Sequence, residues 1–77
     1  MLLHNDDYTT MEFVVHVLVT HFMKSRAEAL AITLQVHHRG AGVAGVYAKD
    51  LAETKADTVM REAREEGMPL VISTEPE

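Results

Sequence analysis

The sequence predicts an α+β domain: a small antiparallel sheet covered on one face by three helices, in the order β-α-α-β-α-β. Three observations predict it. Helix-start signals with a capping residue three positions before Glu occur at Thr9–Glu12, Ser25–Glu28 and Asp50–Glu53. Short runs of apolar and β-branched residues, Leu2-Leu3, Gly42–Ala48 and Leu70–Ser73, flank those helices. The chain has 77 residues, so it forms one domain, and runs this short suit a small sheet rather than a sandwich or barrel.

Leu2-Leu3 reads as the stub of a first strand that enters the turn Asn5-Asp6-Asp7. The first helix is predicted from Thr9. Its hydroxyl takes an orphan amide and Glu12 reaches back, while Tyr8 and Phe13 have the spacing of a hydrophobic staple. From Met11 to Met23 the helix is mostly apolar, with Glu12, His16 and Thr20 as a narrow polar stripe, so its other faces are expected to be buried. Ser25 caps the second helix, which runs to His37-His38-Arg39 and stops at Gly40. His38 reads as a cation at that helix's C-terminus. Thr33 and His37 share one face of it, flanked by Leu30 and Leu34. In the second strand, Gly45 suggests close approach of another backbone. Asp50 is the predicted cap of the third helix, whose apolar stripe is Ala52, Ala56, Val59, Met60 and Ala63. Gly67 ends it and Pro69 prevents a restart before the last strand.

Composition excludes several functions. Seven bases are scattered among twelve acids, giving a net charge of −5, and no basic stripe carries aromatic residues. Nucleic acid is therefore not an expected partner; a cationic ligand or basic protein patch is. The absence of cysteine removes disulfides and thiolate zinc sites. No apolar run reaches the roughly 18 residues of a membrane span, and no signal peptide is visible, so a soluble, cytoplasmic protein is expected.

Catalytic and metal-binding patterns are equally sparse. The five histidines form no HExxH motif, and His16 and His21 are expected to face different ways. A metal site would need His4, Asp7 and His37 to converge in the fold; singly hydrogen-bonded histidines are the expectation, and no metal or cofactor is predicted. Asp6 and Asp7 are adjacent, so their carboxylates diverge in an extended turn, and no nucleophile elbow or Walker-type loop accompanies them. No enzyme activity is expected. Asn and Asp are ordinary turn residues near helix N-termini. Yet Thr9 already supplies the cap, so Asn5, Asp6 and Asp7 exceed what capping needs.

The stretch Asn5-Asp6-Asp7-Tyr8-Thr9-Thr10-Met11-Glu12-Phe13-Val14 resembles the NDDYTPMEFV signature of the ClpS adaptor family. Val36-His37 with Gly40, Gly45-Val46-Tyr47, Ala52-Glu53-Thr54-Lys55 and Pro69-Leu70 continue the resemblance across essentially the whole chain. It implies a three-stranded antiparallel sheet beside three helices. It also implies an adaptor that binds proteins with an N-terminal Phe, Tyr, Trp or Leu, the N-degron, and hands them to the AAA+ unfoldase ClpA or ClpC. Such a protein works without cofactors, as a monomer, in the bacterial cytoplasm or plastid stroma. By resemblance, Asn5, Asp7 and His37 hold the substrate's α-amino group and Asp6 contacts the backbone beyond it. Leu3, Thr9, Met11, Val14, Thr33, Val36 and Leu70 match the apolar pocket, and Asp50 and Lys55 match the surface that meets the unfoldase. An α-ammonium only donates hydrogen bonds, and an amide oxygen, a carboxylate and a neutral imidazole nitrogen all accept.

Three departures qualify the resemblance. Thr33 stands where the family usually has a gatekeeping Met, so an altered preference among first residues is expected. Thr10 replaces the usual Pro at the predicted first helical position, with little consequence. The family's N-terminal extension has no counterpart before Leu2, so residues 1–77 read as a recognition core. Two rivals stay open at this level: an acidic interaction module that needs no free amine, and a small metal-dependent hydrolase centred on Asp6, Asp7 and His37.

Overall fold

A computed structural model describes residues 1–74; the last three residues of the predicted domain lie outside them. Its elements are β1 (Leu2–His4), α1 (Met11–His21), α2 (Arg26–Arg39), β2 (Ala41–Val43), α3 (Lys49–Glu65) and β3 (Val71–Ser73). The predicted order is the observed one.

β1 lies at the centre of the sheet, antiparallel to β2 and β3 in the order β2-β1-β3. Leu3 pairs with Gly42 on one side and Ile72 on the other. These three central residues point to the helix side and are buried, as the two-residue alternation of strands requires. Leu3, Val17, Leu18 and Val59 are the largest fully buried side chains, so the core joins β1, α1 and α3. Gly42 is needed where it stands: a Cβ there would lie 2.8 Å from Val36 Cγ2. Its absence lets α2 lie directly on β2.

Several predicted details differ. The cap of α1 is Thr10, not Thr9: the Thr10 hydroxyl accepts from the Phe13 amide at 3.1 Å. With the cap moved by one residue, Glu12 loses its capping-box position and Tyr8 is 79% exposed, so neither box nor staple forms. The burial expected of α1 holds for Phe13, Val14, Val15, Val17 and Leu18 but not for Met11 or Val19. Helix α1 ends before Met23, whose φ of 56° is left-handed. Ser25 and Gly40 cap α2 as predicted; the Ser25 hydroxyl accepts from the Glu28 amide, and Gly40, at φ 86°, donates to the Val36 carbonyl at 2.9 Å.

β2 is shorter than its apolar run; beyond Val43 the Ala44 amide still donates to the Met1 carbonyl at 3.0 Å, and a Cβ at Gly45 would lie 2.6 Å from the Tyr47 ring. The Gly45 carbonyl also accepts from the Met1 amino group at 2.8 Å, so both a side chain and another stretch of main chain approach it closely. Ala48, not Asp50, occupies the N-cap of α3, and no side chain caps it. Asp50 lies inside the first turn, where its charge still favours the helix dipole.

Candidate functional site: an acidic turn beside an apolar cavity

The turn between β1 and α1 is built around Asp6. One carboxylate oxygen accepts from the Tyr8 and Thr9 amides at 2.8 and 2.6 Å, and the other accepts from the Thr9 hydroxyl at 2.7 Å. Partial burial pushes the Asp6 carboxyl upward, but the Thr9 hydroxyl and the two amides outweigh it and hold it below its ordinary range. This network explains the shifted cap: Thr9 is committed to Asp6, so Thr10 serves the helix. A second tie, from the Asn5 amide to the Gly40 carbonyl at 2.9 Å, fixes the turn against the end of α2.

That tie brings Asn5 and Asp7 close to His37 on the last turn of α2. All three side chains are exposed. Among the described residues, no hydrogen bond engages the Asn5 or Asp7 side chain or the His37 ring. Beneath them lies a cavity of about 210 Å³, lined by Asn5, Asp6, Asp7, Thr9, Met11, Val14, Thr33, Val36 and His37. Val14, Thr33 and Val36 are almost wholly buried and form its floor, while half-exposed Met11 stands at its edge. The Thr33 hydroxyl donates to the Ala29 carbonyl at 2.7 Å. Its polar end is thereby satisfied within α2, and its methyl group is the free end of the side chain.

The other expected site residues are placed differently. Leu3 and Leu70 do not line this cavity; both are core side chains, drawn inward by the sheet register and the close of α3. Asp50 and Lys55 are both on α3, far along the chain from the turn. Asp50 is exposed. The Lys55 ammonium donates to the His21 carbonyl at 2.8 Å, and lies 5.2 Å from the Tyr47 ring centre and 5.7 Å from that of Phe22. It thus satisfies an orphan carbonyl at the end of α1 while covering two aromatic faces.

One cluster escaped the sequence reading. His16 and His21, expected to point apart, both reach Glu62 of α3; each Nε2 is 2.7 Å from a different carboxylate oxygen. These hydrogen bonds, His21 first and His16 second, hold the Glu62 carboxyl below its ordinary range. Nothing local to α1 signals this contact, because its partner lies more than 40 residues away. Among the described residues, no group of three or more His, Asp or Glu is arranged to hold a metal ion, and His4 instead meets the Ser73 hydroxyl at 2.7 Å. Nor is any described helix long and apolar enough to cross a membrane.

Comparison with known proteins places this arrangement. Residues 1–73 match the family model for the ATP-dependent Clp protease adaptor protein ClpS. The chain belongs to the ClpS family. The ClpS adapter of Desulfatibacillum aliphaticivorans is 61% identical over the whole chain, which spans 74% of that relative. The ClpS adapter of Myxococcus xanthus is 58% identical, again over the whole chain and 72% of the relative. The fold superimposes on the structure of Agrobacterium tumefaciens ClpS2 bound to L-phenylalaninamide with a TM-score of 0.94 and 41% identity, covering 99% of this chain and 92% of that one. The protein is thus a Clp protease adaptor, and the expected family and fold both hold.

Proposed function

We propose that the cavity binds the N-terminal residue of proteins destined for degradation, and that the adaptor delivers them to a Clp AAA+ unfoldase, ClpA or ClpC. The observation that carries the reading is the juxtaposition of unengaged Asn5, Asp7 and His37 side chains with an apolar floor of Val14, Thr33 and Val36. A free α-ammonium supplies donors to the acceptors of this mouth, the Asn5 amide oxygen, the Asp7 carboxylate and a His37 ring nitrogen. A bulky apolar side chain fills the space below; cavities of about 150 Å³ already accept benzene. L-Phenylalaninamide, the ligand of the Agrobacterium relative, has both features: a free amine and a benzyl group.

The energetics agree with selective but reversible capture. Hydrogen bonds to a charged group contribute about 1.5–3 kcal/mol each, and burial of a Leu or Phe side chain roughly the same. After ordering costs, an affinity in the micromolar range, about −8 kcal/mol, is expected. Internal Phe or Leu residues lack the amine and do not compete. Asp6, with both oxygens engaged, supports the mouth by shaping the turn. On α3, exposed Asp50 is a candidate contact for the unfoldase, and Lys55 shapes that surface through its hold on α1.

A fluorescence titration with a Phe-starting peptide and its N-acetylated form tests the reading. Acetylation removes the cation and two donors, so binding is expected almost to vanish; equal affinity for the two forms would sink it.

A further inference from the structure

A second and larger concavity, of about 450 Å³, runs along the outer face of α1 against the start of α2. Its apolar lining is Met11, Val15, Val19 and Leu30, and its polar lining is Glu12, His16, Thr20 and Arg26. Met11, Val19 and Leu30 are each about two-fifths exposed and, with buried Val15, give the groove an apolar strip. Met11 is also the one residue that lines both this groove and the cavity at the acidic turn. The two spaces therefore share an edge.

We infer that this groove receives the part of the substrate chain that follows the captured N-terminal residue, and that it favours apolar side chains there. The inference rests on the reading above, since it requires the first residue to sit in the neighbouring cavity. A chain anchored by its amine must leave through the cavity mouth, and Met11 forms an edge of that mouth. From Met11 to Val19 the groove extends roughly 12 Å along the helix. About four residues of extended chain cover that length. Alternate side chains of an extended segment face the same way, so two of those residues turn toward Val15, Val19 and Leu30. Glu12 and Thr20 offer the exposed backbone of the segment polar partners along its length. The substrate class is thereby narrowed to chains with a bulky first residue and apolar residues near the third and fifth positions.

The test compares two Phe-starting peptides in fluorescence anisotropy, one with Leu and one with Ser at positions three and five, each also N-acetylated. The Leu peptide is expected to bind about fivefold tighter. Val19→Ser and Leu30→Ser are expected to erase that difference by lowering the affinity of the Leu peptide to that of the Ser peptide. Equal affinity of the Leu and Ser peptides overturns the inference, as does a preference that survives both substitutions. If both peptides bind only when unacetylated and bind alike, the groove assignment falls and the cavity assignment stands. If acetylation has no effect, both fall. Light scattering closes the remaining route: a dimer at working concentration that Val19→Ser dissolves gives the groove to a second copy and overturns the assignment to substrate.

Discussion

The Asp6 carboxylate accepts the Thr9 hydroxyl at 2.7 Å, a bond that closes the turn on which Asn5 and Asp7 are carried. Without it the turn would keep the two bonds from the Tyr8 and Thr9 amides to the other Asp6 oxygen and the backbone tie from Asn5 to Gly40. Asp6→Ala removes three hydrogen bonds and is expected to weaken capture of a Phe-starting peptide by about tenfold, or ~1.4 kcal/mol. Asp6→Asn keeps an oxygen for the two amides and is expected to recover most of that loss. An Asn variant as weak as the Ala variant, by the same titration, would show that the charge and not the turn matters.

The pH dependence of this turn has a definite sign. Because the folded state holds the Asp6 carboxyl below its ordinary value of 3.8, its contribution is complete above that value and is lost as pH falls through the lower folded value. Chemical denaturation of the protein and of Thr9→Val across pH 6 to 2 checks this. The difference between them is expected to be constant above about pH 4 and to shrink below it.

Glu62 gives a second acid-side test on a different pair of elements. Hydrogen bonds from His21 and His16 lower its carboxyl below 4.5, so the stability it adds is present above that value and lost as pH falls further. Glu62→Gln is expected to cost about 0.5–1 kcal/mol at pH 6, with the loss fading in more acid solution. A cost that stays constant down to pH 3 would mean that the carboxylate charge plays no part in joining α1 to α3.

Lys55 is expected to matter for stability before any partner is present. Lys55→Ala removes the bond to the His21 carbonyl and the cover over Phe22 and Tyr47. A loss of about 1–2 kcal/mol is expected, lowering Tm by roughly 4–8 °C per kcal/mol in a domain of this size. An unchanged melting curve would leave Lys55 with a docking role only.

Thr33 tests the shape of the cavity. Thr33→Val keeps roughly the volume and a methyl group in the floor, so the ranking of first residues is expected to stay as it is. Thr33→Met adds bulk to the floor and is expected to weaken the largest side chain, Trp, at least about fivefold relative to Leu. A peptide panel reads both, and an identical ranking in the Met variant would remove Thr33 from the specificity.

Much of this was legible in the sequence, and the failures have physical causes. Ser25 and Gly40 were readable because their partners, the Glu28 amide and the Val36 carbonyl, lie within four residues. Thr9 was misread as the cap because two adjacent threonines offer the same hydroxyl, and only the claim of Asp6 on Thr9 decides between them. Asn5, Asp7 and His37 were legible as a set through the family motif. Their meeting depends on the bond from Asn5 to Gly40, which no local pattern reveals. Leu3 and Leu70 were assigned to the pocket by resemblance, but their places are set by the register of the sheet and by core packing. The meeting of His16 and His21 at Glu62 was invisible for the same reason, being a product of how α3 lies across α1.

On the proposed function, a free amine and an apolar side chain are recognised together at one mouth. Calorimetric titration of L-phenylalaninamide and of its N-acetyl derivative, each with and without a chelator, tests it most directly. Micromolar-range binding of the free amine, unaffected by chelator, and no measurable heat from the acetylated compound are expected. Equal binding of the two compounds, or binding abolished by the chelator, would contradict it.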